Sequence, residues 1–206
     1  TTKPWVDAVF PPLWPDSKTP VTVFGRNLPG SKPDGRFIRP DGRPLEALTL
    51  STSATPPSKR DVLQTDQVVP PTNGFVDGAD LPLTTADGIA GRPFVLFPQG
   101  TVILEKGDND TPEKAQAVTV PCDIAGQIEK RNDRDWFTFE AKRGDVLAVE
   151  LFADRIGSPV DSYFIITDDT GKVIAEVDDS AETLSQNQFY TRAEDPSRFK
   201  FLAPRD

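Results

Sequence analysis

Proline and glycine divide this chain of 206 residues into short segments, and that division is the strongest constraint on its fold. The sequence contains 21 prolines and 14 glycines. Between them lie runs of alternating apolar and polar residues, as at 21–23 and 136–141. A period of two is typical of half-buried β-strands, and proline and glycine favour turns. The sequence therefore predicts an all-β chain with one helical turn, at residues 111–117, where Thr111 is a candidate N-cap.

The predicted strands fall into two groups, separated by the polar segment 105–110. We expect strands at residues 5–13, 19–28, 45–50, 61–65, 92–97 and 101–105, and then at 117–121, 124–129, 136–141, 146–152, 162–167, 172–177 and from Phe199 onward. Residues 51–87 are rich in Pro, Ser, Thr, Gly and Asp, which indicates long loops that carry one or two weak strands, 61–65 among them. Short strands with frequent turns predict two tandem antiparallel β-sandwiches, with domains at 1–104 and 105–206.

The composition excludes most catalytic chemistry. The sequence has no histidine and a single cysteine, Cys122, so neither a Ser-His-Asp triad nor a Cys-His pair can form. Asp133 and Asp135 are the one carboxylate pair to consider for glycoside hydrolysis, although a solvated turn explains them better. We therefore expect no enzymatic activity. Cys122 is expected to be a small buried residue, with an intermolecular disulfide or a lipid site as the alternative.

Charge and hydropathy limit the partners. The formal net charge is −9, and an acidic chain repels the phosphates of nucleic acids. No apolar run approaches the roughly 20 residues that a membrane-spanning helix needs. We expect neither nucleic-acid binding nor a membrane span. Its three tryptophans, Trp5, Trp14 and Trp136, are expected to pack in the core or between the domains, with stacking on a sugar as the alternative for Trp136.

The motif order in the second half resembles the bacterial pre-peptidase C-terminal domain. The matching motifs lie at residues 109–110, 115–116, 124–126, 133–139, 144–145, 157–161, 168–171 and 178–179. The resemblance implies a jelly-roll-like β-sandwich over residues 105–206. That family continues with a further strand after the position of Asp206. The resemblance therefore implies a sheet lacking its last strand, and a longer polypeptide.

The first half resembles the IPT/TIG immunoglobulin-like domains. The motif is Val-x-Val-x-Gly-x-Asn-Leu at residues 21–28, after prolines near the first strand. It implies an Ig-like β-sandwich with long loops over residues 1–104. Together with residues 153–157, this arrangement is similar to secreted proteins of planctomycete-type bacteria.

These resemblances imply a non-catalytic binding or assembly module of a larger secreted or envelope protein. Its location would be secreted, periplasmic or at the cell surface, and its partner another protein or a cell-surface polymer. One alternative is a Ca²⁺-dependent adhesion module for matrix or polysaccharide. Another is an accessory region of a secreted peptidase.

Relatives of the second domain, the collagen-binding modules of clostridial collagenases, bind Ca²⁺. Their ligands come from an acidic segment before the first strand and from a loop before the aromatic strand, and Ca²⁺ takes 6–8 oxygen ligands. The resemblance implies a Ca²⁺ site at these positions: Glu105, Asp108, Asn109, Asp110, Asn132, Asp133 and Asp135. The alternative is a set of solvated turns in which Asp and Asn side chains cap their own backbone.

Overall fold

The computed structural model describes residues 3–15, 19–50, 77–85, 88–158 and 160–177. The all-β prediction is confirmed for these residues, which form short strands and two turns of 3-10 helix, Pro112–Lys114 and Asp154–Ile156. The strands are β1 (Trp5–Phe10), β2 (Val21–Arg26), β3 (Lys32–Ile38), β4 (Pro44–Leu50), β5 (Gly78–Asp80), β6 (Leu83–Thr85), β7 (Gly88–Gly91), β8 (Phe94–Leu96), β9 (Thr101–Leu104), β10 (Gln116–Ala117), β11 (Cys122–Ala125), β12 (Phe137–Thr138), β13 (Phe164–Thr167) and β14 (Val173–Val177). The strands predicted at 61–65 and from Phe199, and the motif at 178–179, lie outside the described residues.

The largest sheet is antiparallel, with the strand order β1-β2-β4-β3. In β2 the predicted alternation is confirmed, since Val21 and Val23 are buried while the Thr22 hydroxyl lies 3.1 Å from that of Thr49. Gly25 marks a close approach of two backbones. A Cβ at Gly25 would collide with the carbonyl oxygen of Trp5, so only glycine allows β1 and β2 to pair there.

A hydrophobic core is formed by residues of this sheet together with other described residues. Strands β1 and β2 contribute to it, and so does the segment from β5 to β8. Trp14 packs against Phe97, with ring centroids 5.5 Å apart. The buried members are Val6, Trp14, Val21, Val23, Leu28, Ala79, Leu81, Leu83 and Val95. Burial of this apolar surface is the main term that stabilises the first half of the chain.

Two ladders depart from the predicted antiparallel pattern. β9 pairs with β11, and β10 pairs with β12, and both pairs are parallel. The sequence also failed to predict β3, β5, β6 and β7. β3 contains Pro33, Gly35 and several charged residues, so its apolar alternation is weak. It is nevertheless a strand because β4 supplies its hydrogen bonds on one side.

The sequences Asp168-Asp-Thr-Gly171 and Lys142-Arg-Gly-Asp145 each predict a tight turn, and the structure has a turn at both places. The first joins β13 to β14. The Asp168 carboxylate accepts hydrogen bonds from the backbone N–H groups of Thr170 (2.9 Å) and Lys172 (3.0 Å), and Gly171 has a φ of 83°. The turn before Asp145 also forms, with the Asp145 N–H donating to the Lys142 carbonyl at 3.0 Å. At the 3-10 turn Pro112–Lys114, the Thr111 side chain makes no capping bond. That detail of the prediction is wrong.

Packing divides the described residues into two compact units. One contains the described parts of 3–50 and 78–145, and the other contains Asp77 and the described parts of 146–177. This grouping does not test independent folding, so the domain boundary between residues 104 and 105 stays a prediction. Residues 146–152 were predicted as a strand, but they form none with the described residues, and Val146 is 96% exposed. No helix in the described parts of the chain is long and apolar enough to cross a membrane.

Candidate functional site

Three carboxylates meet where two polar segments lie side by side. Asp110, Asp133 and Asp135 each place a carboxylate oxygen within 4.8 Å of the others; we call them the acidic cluster. Asp110 belongs to the polar segment after β9, while the two other residues lie just before β12. The Trp136 N–H donates to the Asn109 carbonyl at 2.9 Å, and this backbone bond joins the two segments.

Asn109 is buried at the junction of these two segments and bonds to Trp136, which lies just before β12. Its side chain is 1% exposed, and its Nδ2 donates to the Trp136 carbonyl at 3.2 Å. The Asn109 Oδ1 is buried and accepts no hydrogen bond. Most buried polar atoms have a partner, and an exception often marks strain or a site for a bound water or ion. The segment that carries Asp110 therefore holds an oxygen whose bonding capacity is unused.

Asp135 is the electrostatically strained member of the cluster. Burial, a hydrogen bond with Glu105 and the negative charges of Glu105, Asp133 and Asp110 together raise the pKa of Asp135 to about 7. Glu105 cannot easily move away, because its Oε2 accepts the Gln127 N–H at 2.7 Å. Four carboxyl groups are thus crowded at one place, and a proton or another cation on Asp135 relieves their repulsion.

Lys130 provides an internal counter-ion that the sequence reasoning missed. Its ammonium lies 2.5 Å from Asp110 Oδ2 and 3.5 Å from Asp133 Oδ1. The hydrogen bond to Asp110 is the main reason that the pKa of Lys130 is raised. Lys130 stands three residues before Asp133, a spacing that in a turn brings the two side chains together. The three-residue spacing of Lys130 and Asp133 is therefore the sequence feature that could have predicted their ion pair.

Asp133 has a structural role as well. Its Oδ2 accepts the Glu129 N–H at 2.7 Å, and its own N–H donates to the Lys130 carbonyl at 3.2 Å. Its side chain is only 4% exposed. Burial raises the pKa of Asp133, but the Glu129 N–H and Lys130 outweigh burial and hold the pKa below its usual range. Asp133 is therefore a turn cap, the alternative that sequence reasoning gave for these residues.

The remaining predicted ligands lie around the cluster. Asp108 and Asn132 are exposed, and Asn132 has a φ of 62°, a left-handed conformation that asparagine tolerates within a turn. Glu105 contacts the cluster through Asp135. The structure thus brings Asp110, Asp133 and Asp135 together with Glu105, and places Asp108 in solvent.

Cys122 and the tryptophans complete the candidate residues. Cys122 is half-buried, and burial together with the charge of Asp123 raises the pKa of its thiol, so the reactive thiolate is scarce at neutral pH. Trp14 is buried as expected, and Trp136 is half-buried. Trp5, in contrast, is 51% exposed.

Comparison of the chain with protein-family models, with curated proteins and with solved structures finds no match. The two family resemblances accordingly stay predictions that rest on motif order.

Proposed function

We propose that this chain is a non-catalytic extracytoplasmic binding or assembly module of a larger secreted or envelope protein. The order of its motifs supports the location and the class of module. The absence of histidine from the sequence and the raised pKa of the Cys122 thiol support the lack of catalysis. A nucleophile needs a neighbouring base or a lowered pKa to react at neutral pH.

Within this function, the acidic cluster binds Ca²⁺. The observation that carries this part is the convergence of Asp110, Asp133 and Asp135 within 4.8 Å. Carboxylate and amide oxygens are the ligands that Ca²⁺ prefers, so the Oδ1 of Asn109 fits the same donor set. The cation would replace both the Lys130 ammonium and the proton of Asp135. This same cluster is what favours the alternative of a Ca²⁺-dependent adhesion module for matrix or polysaccharide, whereas the accessory-peptidase function rests on the resemblance alone.

Thermal unfolding in millimolar Ca²⁺ and in EDTA tests the site. A ligand that binds only the native state stabilises it by about 2.7 kcal/mol at 100 times its Kd, so Ca²⁺ should raise the Tm. Asp110→Asn and Asp135→Asn should lose this rise. Asp108→Asn removes the same charge from the same segment but lies in solvent, and it should keep the rise.

Replacement of the internal counter-ion makes the test more specific. In Lys130→Met, Ca²⁺ no longer competes with an ammonium, so the Ca²⁺-dependent rise in Tm should exceed that of the wild type. Lys114→Met is the control, since Lys114 is an exposed lysine of the preceding 3-10 turn. An equal rise in the Asp110 and Asp135 variants, or full replacement of Ca²⁺ by Mg²⁺, would show general charge screening instead.

A further inference from the structure

A buried glutamine joins the two segments that supply the acidic cluster and its neighbour Glu105. Gln116 of β10 is 6% exposed. Its side-chain Nε2 donates to the Leu104 carbonyl at 3.0 Å, and its Oε1 accepts the Lys106 N–H at 3.0 Å. The two bonds of this one amide are therefore made to the residues on either side of Glu105, and they fix the backbone of Glu105.

The backbone of Gln116 is bonded to the other segment. Its N–H donates to the Trp136 carbonyl at 2.8 Å, and Trp136 directly follows Asp135 in the chain. Gln116 thus holds the neighbours of Glu105 with its side chain and the neighbour of Asp135 with its main chain. Glu105 and Asp135 are the two acids that are hydrogen-bonded to each other.

The side chain of Glu105 is fixed as well. The Glu105 N–H donates to the Ala125 carbonyl at 2.9 Å, and its Oε2 accepts the Gln127 N–H at 2.7 Å. Gly126 leaves the space that this carboxylate occupies, since a Cβ at Gly126 would lie 2.8 Å from the Glu105 Oε2. The surroundings of Glu105 therefore hold its carboxyl group in one position, against Asp135.

This arrangement holds like charges together against their repulsion. Ionised carboxylates repel one another, and a cation between them relieves that repulsion. Because Glu105 is held in place, the carboxylates are already assembled before a cation arrives, and binding costs less ordering. Groups that hydrogen-bond to the ligands of a metal and orient them are worth roughly 10- to 100-fold in metal affinity.

A buried oxygen at the same junction is an independent sign of a ligand. The Oδ1 of Asn109 is buried and accepts no hydrogen bond from the described residues. The Nδ2 of the same amide donates to the Trp136 carbonyl, which also accepts the Gln116 N–H. The unpaired oxygen therefore belongs to the group of buried amides that joins the two segments.

We propose that Gln116 is a positioning residue of the cation site: it holds Glu105 against Asp135, and Glu105 in turn keeps the acidic cluster assembled for Ca²⁺. The inference rests on the proposed Ca²⁺ site. It assigns a role in cation binding to a buried residue that carries no charge and lies outside the cluster.

Calorimetric titration of the full chain with calcium chloride, well below the unfolding temperature, tests the proposal. Gln116→Met removes the amide and keeps a side chain of similar length, and it should weaken Ca²⁺ binding by roughly 10- to 100-fold. Gly126→Ala should also weaken it, because the new methyl group displaces the Glu105 carboxylate. Gly25→Ala disturbs the same compact unit away from the cluster, and it should bind Ca²⁺ with the affinity of the wild type.

A double variant separates positioning from a general loss of stability. Glu105→Gln should weaken Ca²⁺ binding, and the addition of Gln116→Met to it should cause little further loss, because Gln116 acts through Glu105. Additive losses would show that Gln116 acts by another route and would overturn the proposal. Wild-type affinity in Gln116→Met, or an equal loss of affinity in Gly25→Ala, would overturn it too.

Thermal unfolding checks that each variant is folded at the temperature of the titration. If Gln116→Met is not folded, Gly126→Ala alone and combined with Glu105→Gln provides the same comparison. Absence of Ca²⁺ binding by the wild type would refute the proposed cation site and the positioning role with it. Binding by the wild type that these variants retain in full would refute the positioning role alone.

Discussion

At the scale of single residues, the pKa of Asp135 depends on the charges of the whole acidic cluster. Its carboxyl group lies among Glu105, Asp110 and Asp133, and Lys130 contacts only two of these neighbours. In the unfolded chain the same group is solvated and its pKa is the ordinary 3.8. Folding therefore raises the affinity of Asp135 for a proton, and the difference makes stability depend on pH.

In EDTA, the contribution of Asp135 to stability should decline as pH rises from about 4 to about 7. Between these values the native state holds a proton that the unfolded state has released, so the slope of the unfolding free energy against pH is negative. Below and above this window the contribution is constant. Asparagine cannot ionise, so Asp135→Asn should lack the decline. Urea unfolding of both proteins across the pH range measures it, and parallel curves would show that Asp135 has an ordinary pKa in the native state.

At the scale of elements, strand pairing depends on where backbones can approach. The backbones of β1 and β2 are in close contact at Gly25. Val21 and Val23 of β2 are buried in the core. Beyond this pair, Glu46 of β4 accepts the Leu28 N–H at 2.7 Å and the Ser31 hydroxyl at 2.9 Å. Burial raises the pKa of Glu46, but these bonds outweigh burial and lower it. The turn after β2 is thereby fastened to β4.

Gly25→Ala should destabilise the fold by about 1–3 kcal/mol or more, the usual cost of forcing extra volume into a packed site. The new methyl group would meet the Trp5 carbonyl, a backbone atom that cannot rotate away. Gly35→Ala is the matched control, because β3 has open space at that position. Urea unfolding compares the two variants. Equal stability of both would mean that β1 and β2 can separate without loss.

At the scale of the molecule, the described residues combine an ordered β-core with a group of crowded carboxylates. The acidic cluster belongs to the compact unit that includes β1 to β12. It places no nucleophile next to a base, and the role that we propose for it is therefore binding.

The purified chain should hydrolyse neither casein nor a panel of glycosides. Asp133, one of the two acids of the only pair considered for glycoside hydrolysis, is held as a turn cap by Glu129 N–H and Lys130. The readout is release of peptides or reducing sugar. Activity that disappears on substitution of a single residue of this chain would contradict the non-catalytic function.

The sequence by itself determined the all-β class, the alternation in β2 and the turns at Asp168 and Asp145. These features depend on residues close together in the chain, so periodicity and turn chemistry reveal them. The same reasoning missed β3, whose polar edge position weakens the pattern, and it did not predict the parallel pairing of β9 with β11. Which strands pair depends on the path of the chain through the whole fold. A local sequence pattern carries no information about that path.

Tertiary structure also decided what the candidate sites contain. The sequence predicted that the acidic segments form a site, but only folding places Asp110 beside Asp133 and Asp135. Folding also brings the ammonium of Lys130 into contact with Asp110. The ion pairs of Arg26 with Asp7 and of Arg36 with Glu129 also left no signal in the sequence, because their members lie far apart in the chain and meet only in the folded structure. Electrostatic sites depend on distances through space, and burial then sets how strongly each charge acts.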